Sequence, residues 1–250
     1  MTLKAFFQAN PNAALAFSGG VDSAYLLYAA KLYGARIHAY YVRSAFQPQF
    51  ELEDAKRLAG ELGAEMTALD VDVLSDSRIT MNSADRCYLC KKKLFAAIRE
   101  AAEADGFELL IDGTNASDDA DDRPGMRAMR ELAVRSPLRE CGLTKQRIRE
   151  LSREAGLFTW DKPAYACLAT RIPTGEEITK EALQKTEAAE NSLFSLGFRD
   201  FRVRLFHGCA RLQLPESQFP LLLIKRQKVL DEMKKYYGTV LLDLVVRDEQ

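Results

Sequence analysis

Nowhere do eighteen apolar residues follow one another, so the chain has no stretch fit to cross a membrane as a helix. Its opening residues, Met1-Thr2-Leu3-Lys4-Ala5-Phe6-Phe7, lack the long apolar core and small-residue cleavage site of a secretory signal, and the protein is expected in the cytoplasm. An excess of charge is missing too. The 35 Lys and Arg face 36 Asp and Glu, a net charge of -1, which gives no global pull toward a polyanion and argues against nucleic acid as a partner. Histidine is scarce: His38 and His207 stand alone, without the spacing of metal ligands. With 47% hydrophobic and 28% charged residues and no low-complexity run, a globular protein remains, and 250 residues suffice for two domains. Five cysteines are an odd number in a chain without a secretion signal, which disfavours a disulfide framework and leaves metal binding or chemistry for any that cluster.

Against these absences one stretch stands out. Leu15-Ala16-Phe17 reads as a buried strand, Ser18-Gly19-Gly20 as a sharp turn, and Val21-Asp22-Ser23 opens into a helical run. A strand feeding a Ser/Gly loop at a helix N-terminus offers free N–H groups, two hydroxyls and the positive end of a helix dipole, which together suit pyrophosphate. A plain Gly-rich turn with a capping serine is the bland alternative. The spacing is neither G-x-x-x-x-G-K-[ST] nor G-x-G-x-x-G. Ser-Gly-Gly-x-Asp-Ser directly after a strand resembles the PP-loop of the ATP pyrophosphatases, which split ATP to AMP and pyrophosphate while adenylating a substrate.

The following segments alternate between strand and helix: a helix over 22–33 stopped by Gly34, a strand over 36–42, a helix over 50–62 stopped by Gly63, and a strand over 66–71. This rhythm predicts an α/β fold, a twisted parallel sheet with helices on both faces. A helix running to about 104 precedes a strand over 108–112, which leads into Gly113-Thr114-Asn115. Ligands gather at the carboxyl ends of such strands, so Asp112 to Asn115 belong on the edge that carries Ser18 to Ser23, where they could contact adenosine; Asx turn chemistry explains the same residues equally well. The acidic run Asp118-Asp119-Ala120-Asp121-Asp122 suits a solvated loop better than a magnesium site. An amphipathic helix over 144–155 has Thr144 as its cap.

We expect a first domain over 1–165 and a small C-terminal α+β domain over 166–250, serving substrate binding or oligomerisation. Its elements are a helix over 179–196, strands over 199–206 and 210–214, a helix over 215–236 and a strand over 239–246. Phe201, Val203 and Leu205 alternate with Arg202 and Arg204, and Arg211 joins them from the next strand. An anion-gripping face and a solvated sheet face are equally consistent with that pattern.

Cys87 and Cys90 are three apart at a helix start, which places both sulfurs on one side. The pair fits half a zinc site, a redox pair or a chance spacing, since no second Cys-x-x-Cys exists. Cys167 is the best candidate for a third ligand, because its irregular loop lies at the domain boundary. Three thiolates on a [4Fe–4S] cluster would leave one iron open to an exchangeable group. Cys141 and Cys209 read as small buried hydrophobes.

Laid out together, residues 17–23, 112–115, 123–125, 136–138, 162–173 and 202–204 closely resemble one PP-loop family over nearly the whole chain: the ATP-dependent sulfur transferases that help make the nickel-pincer nucleotide cofactor of lactate racemase. Lys162-Pro163-Ala164-Tyr165-Ala166-Cys167-Leu168-Ala169-Thr170-Arg171-Ile172-Pro173 is the family-specific stretch. The resemblance implies adenylation of a carboxylate on a dicarboxylated pyridinium mononucleotide, then conversion to a thiocarboxylate. In one branch the cysteine matching Cys167 surrenders its own sulfur and becomes dehydroalanine. In the other, that cysteine and a Cys-x-x-Cys pair hold a [4Fe–4S] cluster, with sulfide on the open iron as donor. Cys87, Cys90 and Cys167 together imply the cluster branch. The resemblance further implies ATP held by Phe17, Ser18, Gly19, Gly20, Val21, Asp22, Ser23, Asp112, Gly113, Thr114 and Asn115, and Mg2+ held partly by Asp22. It also implies substrate anions gripped by Arg202 and Arg204, and a homo-oligomer, with a hexamer as its suggested form. Gln213 departs from the family pattern, which often has glutamate there. Competing readings are a PP-loop tRNA thiolase, an amidating ligase and a non-catalytic nucleotide-binding module with structural zinc.

Overall fold

The computed structural model describes residues 1–118 and 124–247. In chain order its elements begin α1 (Leu3–Ala9), β1 (Asn12–Ala16), α2 (Val21–Leu32), β2 (Arg36–Arg43), α3 (Gln49–Glu61), β3 (Glu65–Asp70), α4 (Ser77–Thr80), α5 (Arg86–Ala104) and β4 (Leu110–Asp112). They continue with α6 (Pro124–Glu131), α7 (Pro137–Glu140), α8 (Lys145–Glu154), α9 (Lys180–Ser195), β5 (Arg202–Phe206), β6 (Cys209–Gln213), α10 (Phe219–Met233) and β7 (Val240–Leu242). The chain packs as two compact units: Met1–Val73 with Asp85–Lys162, and Leu74–Ala84 with Pro163–Gln250. None of the described helices is long and apolar enough to cross a membrane.

In the first unit the strands form a parallel sheet in the order β3-β2-β1-β4. Successive side chains of a strand point to opposite faces, and the core divides accordingly. Ala13 and Leu15 pack with Leu26 and Leu27 of α2, Leu58 of α3 and Ile148 of α8. Ala14 and Tyr40 face the other way, toward Ile98 and Ala102 of α5. Both faces are therefore covered, which explains why β1 is apolar throughout its buried length. The opening residues form α1, capped by Thr2 on the Ala5 N–H, with Phe6 and Phe7 in the core.

The second unit carries a three-stranded sheet, β5-β6-β7, in which β5 and β6 form an antiparallel hairpin and β7 runs parallel to β6. Val203, Ala210 and Leu212 turn one face toward Leu193 of α9 and Val229 and Met233 of α10. The expected helix over 215–236 is broken into a short 3-10 turn, Glu216–Gln218, and α10. Pro220 explains the break: without an N–H it is tolerated only in the first turn. Leu74–Ala84 joins this unit through Asn82, whose buried side-chain amide donates to the carbonyls of Pro173 (2.7 Å) and Glu176 (3.0 Å) and whose main-chain carbonyl accepts from the Gly175 N–H.

Candidate active site

The order of the first sheet reverses beside β1, with β2 and β3 on one side and β4 on the other, and ligands of such sheets collect where the carboxyl ends part. The loops that leave β1 and β4 hold the residues singled out for ATP. Phe17 is buried and extends the pairing through its N–H to the Tyr40 carbonyl, 2.9 Å. Gly19 sits at φ +70, and a Cβ there would stand 3.0 to 3.1 Å from Ala55, so both conformation and space require glycine. The hydroxyls of Ser18 and Ser23 meet at 3.0 Å, Ser23 Oγ accepts from the Ser18 N–H, and Ser18 Oγ accepts from the Gly20 N–H. Gly20 is the N-cap of α2 and no side chain caps this helix, so its first-turn N–H groups, Val21 to Ser23, stay available at the positive end of the dipole. Gly113 comes against this turn from β4. A Cβ on Gly113 would lie 2.8 Å from the Ser23 nitrogen. The two loops thus form one cradle lined by backbone, the arrangement that holds an anion.

Asp22, at the second position of α2, receives the ammonium of Lys145 on Oδ2 at 2.6 Å, a contact across 123 residues. Its Oδ1 is buried without a hydrogen-bond partner. Burial raises the Asp22 pKa, and Lys145 offsets only part of that rise. An orphaned acceptor beside an anion cradle fits a divalent cation. Asp112 is buried and its carboxylate is taken up internally: Thr114 Oγ1 donates to Oδ2 and Ser136 Oγ to Oδ1, the latter at 2.7 Å. Desolvation raises its pKa against the pull of these bonds. Asn115 makes the Asx turn: its Oδ1 accepts from the Ser117 N–H at 2.8 Å, and its own N–H donates to Asp118. Most of the acidic run, residues 119–122, lies outside the described residues, as does Arg123.

Cys87 and Cys90 occupy the first turns of α5, Cys87 exposed and Cys90 buried. Helix α6 is fastened alongside by Tyr88, whose hydroxyl donates to Glu131 at 2.7 Å and whose ring lies under the Arg127 guanidinium at 3.9 Å. Cys167 belongs to the second unit. Among the described residues no group of three or more His, Cys, Asp or Glu side chains stands together as a metal site.

The loop that carries Cys167 is held by arginines acting on its carbonyls. Arg171 Nη1 donates to Ala166 O at 2.9 Å, and its Nε and Nη2 donate to the carboxylate of Glu190 on α9 at 2.8 and 3.2 Å. Arg204 Nη1 donates to Thr170 O at 2.7 Å and its Nε to Gln213 at 3.2 Å. Arg202 donates to Ala164 O and Phe201 O and is buried, its pKa lowered to about 10 by desolvation and by the neighbouring charges of Arg171 and Arg247. The arginine face thus carries one half-buried and one buried guanidinium, both bonded to this loop. Sequence reasoning missed Lys145, Glu190 and the role of Arg171. Glu190 alone left a trace: a carboxylate in the otherwise uncharged stripe Leu183, Thr186, Ala189, Leu193 of α9.

Residues 12–93 match the family of the queuosine biosynthesis protein QueC. An uncharacterized protein of Synechocystis sp. is 39% identical over 219 residues, covering 86% of this chain and 81% of the relative. The pyridinium-3,5-bisthiocarboxylic acid mononucleotide synthase of Lactiplantibacillus plantarum is 34% identical over 233 residues, 92% of this chain and 84% of that protein. A tRNA-specific 2-thiouridylase of Clostridium botulinum is 26% identical over 60% of this chain and 51% of its own length. A phosphate loop at the sheet's switch point, with identity that runs through both units, places the chain in the PP-loop family of ATP-dependent sulfur transferases to which the pyridinium-3,5-bisthiocarboxylic acid mononucleotide synthase belongs.

Proposed function

We propose that this enzyme adenylates a carboxylate of a pyridinium dicarboxylate mononucleotide and replaces the AMP by sulfur, leaving a thiocarboxylate. The observation that carries the reading is the uncapped start of α2 beside Ser18, Ser23 and the orphaned Oδ1 of Asp22. In the first step a carboxylate oxygen attacks the α-phosphorus of ATP, and the bond to the outgoing pyrophosphate breaks. The loop amides and the two serine hydroxyls would meet the charge that develops on that leaving group. Asp22 would hold magnesium, which when bound neutralises phosphate charge. Gly113 to Asn115 would line the nucleotide, with Asp112 holding their turn. Arg204, half-buried, and Arg202 would meet the anionic groups of the mononucleotide.

In the second step a sulfur nucleophile attacks the acyl carbon and AMP leaves. Cys87, Cys90 and Cys167 would hold a [4Fe–4S] cluster, which when bound would offer an open iron for an exogenous sulfide; the helical Cys-x-x-Cys of α5 supports this assignment. Because the described residues hold no three-ligand group, a second reading stands beside it, in which Cys167 attacks, forms a thioester and yields its sulfur as its own Cα–H and Cβ–S bonds break to dehydroalanine. A homo-oligomer is also proposed. The second unit exposes Leu223, Ile224, Leu244 and Val245 at 71 to 83%, next to an apolar groove of about 240 Å³ between α10 and β7.

Anaerobically purified protein tests the reading. Pyrophosphate is expected with ATP and the pyridinium mononucleotide; release with tRNA alone would overturn the substrate assignment. Iron and sulfide in the wild type, lost in Cys90→Ala, support the cluster. Metal-free protein that loses the mass of hydrogen sulfide from Cys167 on turnover supports the sacrificial route.

A further inference from the structure

The loop around Cys167 is anchored by a buried ion pair between Arg171 and Glu190. Arg171 and Glu190 are each 1% exposed. Burying two charges costs about as much as their attraction returns, and an apolar pair of like volume is often as stable. Directional bonds are what an apolar pair lacks, and here they are used in full. The Glu190 carboxylate accepts from Arg171 Nε and Nη2, from the Tyr165 hydroxyl and, at 2.9 Å, from the Val203 N–H of β5. Arg171 spends its remaining nitrogen on the loop: Nη1 donates to Ala166 O and to Thr170 Oγ1, both at 2.9 Å, while Thr170 Oγ1 donates to Cys167 O at 2.8 Å. Arg171 and Tyr165 thus meet at one carboxylate on α9, while Arg202 and Arg204 reach the same loop separately at Ala164 O and Thr170 O.

We propose that Glu190 is a positioning residue for sulfur transfer: acting through Arg171 and Tyr165, it holds the backbone of residues 165–170 in the single conformation that presents Cys167. The inference rests on the reading of Cys167 as the sulfur-handling residue, whereas the conformation it controls is measurable without substrate.

Three variants test it: Tyr165→Phe, Glu190→Gln, and the paired Arg171→Met, Glu190→Leu, which replaces the ion pair by an apolar contact. Amide hydrogen exchange reads the order of residues 164–170, with α2 as internal reference. Pyrophosphate release and thiocarboxylate formation are followed separately with ATP and the pyridinium mononucleotide. In Glu190→Gln the loop amides should exchange at least about tenfold faster. Pyrophosphate release should stay within about threefold of wild type while thiocarboxylate formation falls at least about tenfold. Tyr165→Phe should shift the same readouts in the same direction by about threefold. The apolar pair leaves the Val203 N–H and the Ala166 carbonyl without these partners, so it should fold with a lowered thermal midpoint and lose sulfur transfer. Wild-type loop protection in both Glu190→Gln and Tyr165→Phe overturns the proposal, as does wild-type sulfur transfer by the apolar pair. Should Glu190→Gln fail to fold, Tyr165→Phe and the apolar pair decide alone. A wild-type enzyme that releases no pyrophosphate with the mononucleotide refutes the proposed function instead, and the exchange measurement still decides the role of Glu190.

Discussion

Between Ser18 and Ser23 the bonds that set the backbone join residues two to five apart, whereas between Ala164 and Thr170 a local turn at Cys167–Thr170 is joined by bonds from Arg171, Arg202 and Arg204, up to 38 residues away. The first loop is made by main chain and short hydroxyl side chains. The second is made by long charged side chains. The difference suits two tasks. An anion cradle needs N–H groups at fixed spacing, which a turn and a helix start supply by themselves. In the proposed function the second loop carries the sulfur-handling Cys167, and its backbone leaves carbonyls that buried donors have to satisfy. Changes that touch backbone space should therefore dominate in the first region, and changes that delete a side-chain bond should dominate in the second.

Asp22 is where the comparison is most exposed, since it is a side chain of the first region that is reached from afar, by Lys145. Asp22→Asn should reduce ATP-dependent pyrophosphate release by roughly 10²-fold, the scale of removing one charge-stabilising group from a transition state. The same substitution should stabilise the free protein. Burial raises the native pKa of Asp22 above its unfolded value of 3.8, so the native state binds the proton more tightly than the unfolded chain does. Stability from this group is therefore present below pH 3.8 and is lost as pH rises through the native pKa. Asparagine removes that loss. Thermal midpoints of Asp22→Asn and wild type, measured without magnesium, should differ in favour of the variant at pH 7 and converge as the pH is lowered toward 4; a variant less stable than wild type at pH 7 would contradict the assignment of Asp22 as a desolvated carboxylate.

The fold was largely legible because its signals are local. Gly34 and Gly63 end helices at positive φ, Thr144 caps α8 through the Arg147 N–H, and the largely apolar strands at Ala13–Leu15 and Ile37–Tyr41 alternate with helices in the order a parallel sheet demands. Ser-Gly-Gly at the end of a strand was legible for the same reason. What stayed hidden depends on residues far apart in the chain. Nothing near Lys145 announces a partner at Asp22, and nothing near Asn82 announces that residues 74–84 would leave their sequence neighbours to pack against 172–176. Arg202 and Arg204 were visible as an alternating pattern, but alternation gives only the face of a strand. That a loop covers this face, and takes both guanidinium groups as donors to its carbonyls, is tertiary information.

Gly113 tests the backbone side of the comparison directly. A methyl group there would come within 2.8 Å of the Ser23 nitrogen and 3.1 Å of its Cα, main-chain atoms that cannot rotate away. Gly113→Ala should force the two loops apart at about 1–3 kcal/mol. If the strain falls on the cradle, kcat/KM for ATP drops by roughly tenfold to a hundredfold. Steady-state pyrophosphate release checks this, with Gly34→Ala as a control outside the site: its φ is also positive, at +75, but no atom lies within 4 Å of the added carbon, so its cost appears in stability alone. Equal losses of ATP affinity in the two variants would mean that the close approach of Gly113 does not shape the cradle.

The smallest effect is expected at Ser136. Its hydroxyl donates to Asp112 Oδ1 at 2.7 Å, and Asp112 keeps Thr114 as a donor on its other oxygen, so Ser136→Ala removes one of two side-chain bonds to a buried carboxylate. A hydrogen bond to a charged acceptor contributes about 1.5–3 kcal/mol at most. Here the raised pKa of Asp112 provides relief, because a carboxyl that has lost a donor can take up a proton at lower cost than one held at its ordinary value. Loss of the bond disfavours the charged form further, so the native pKa of Asp112 rises again. Stability should consequently fall more at pH 8 than at pH 5, with the ATP dependence of pyrophosphate release changed by less than about threefold. A larger activity loss than in Gly113→Ala would reverse the order argued for this region. It would make the cradle a structure of side chains, like the loop around Cys167.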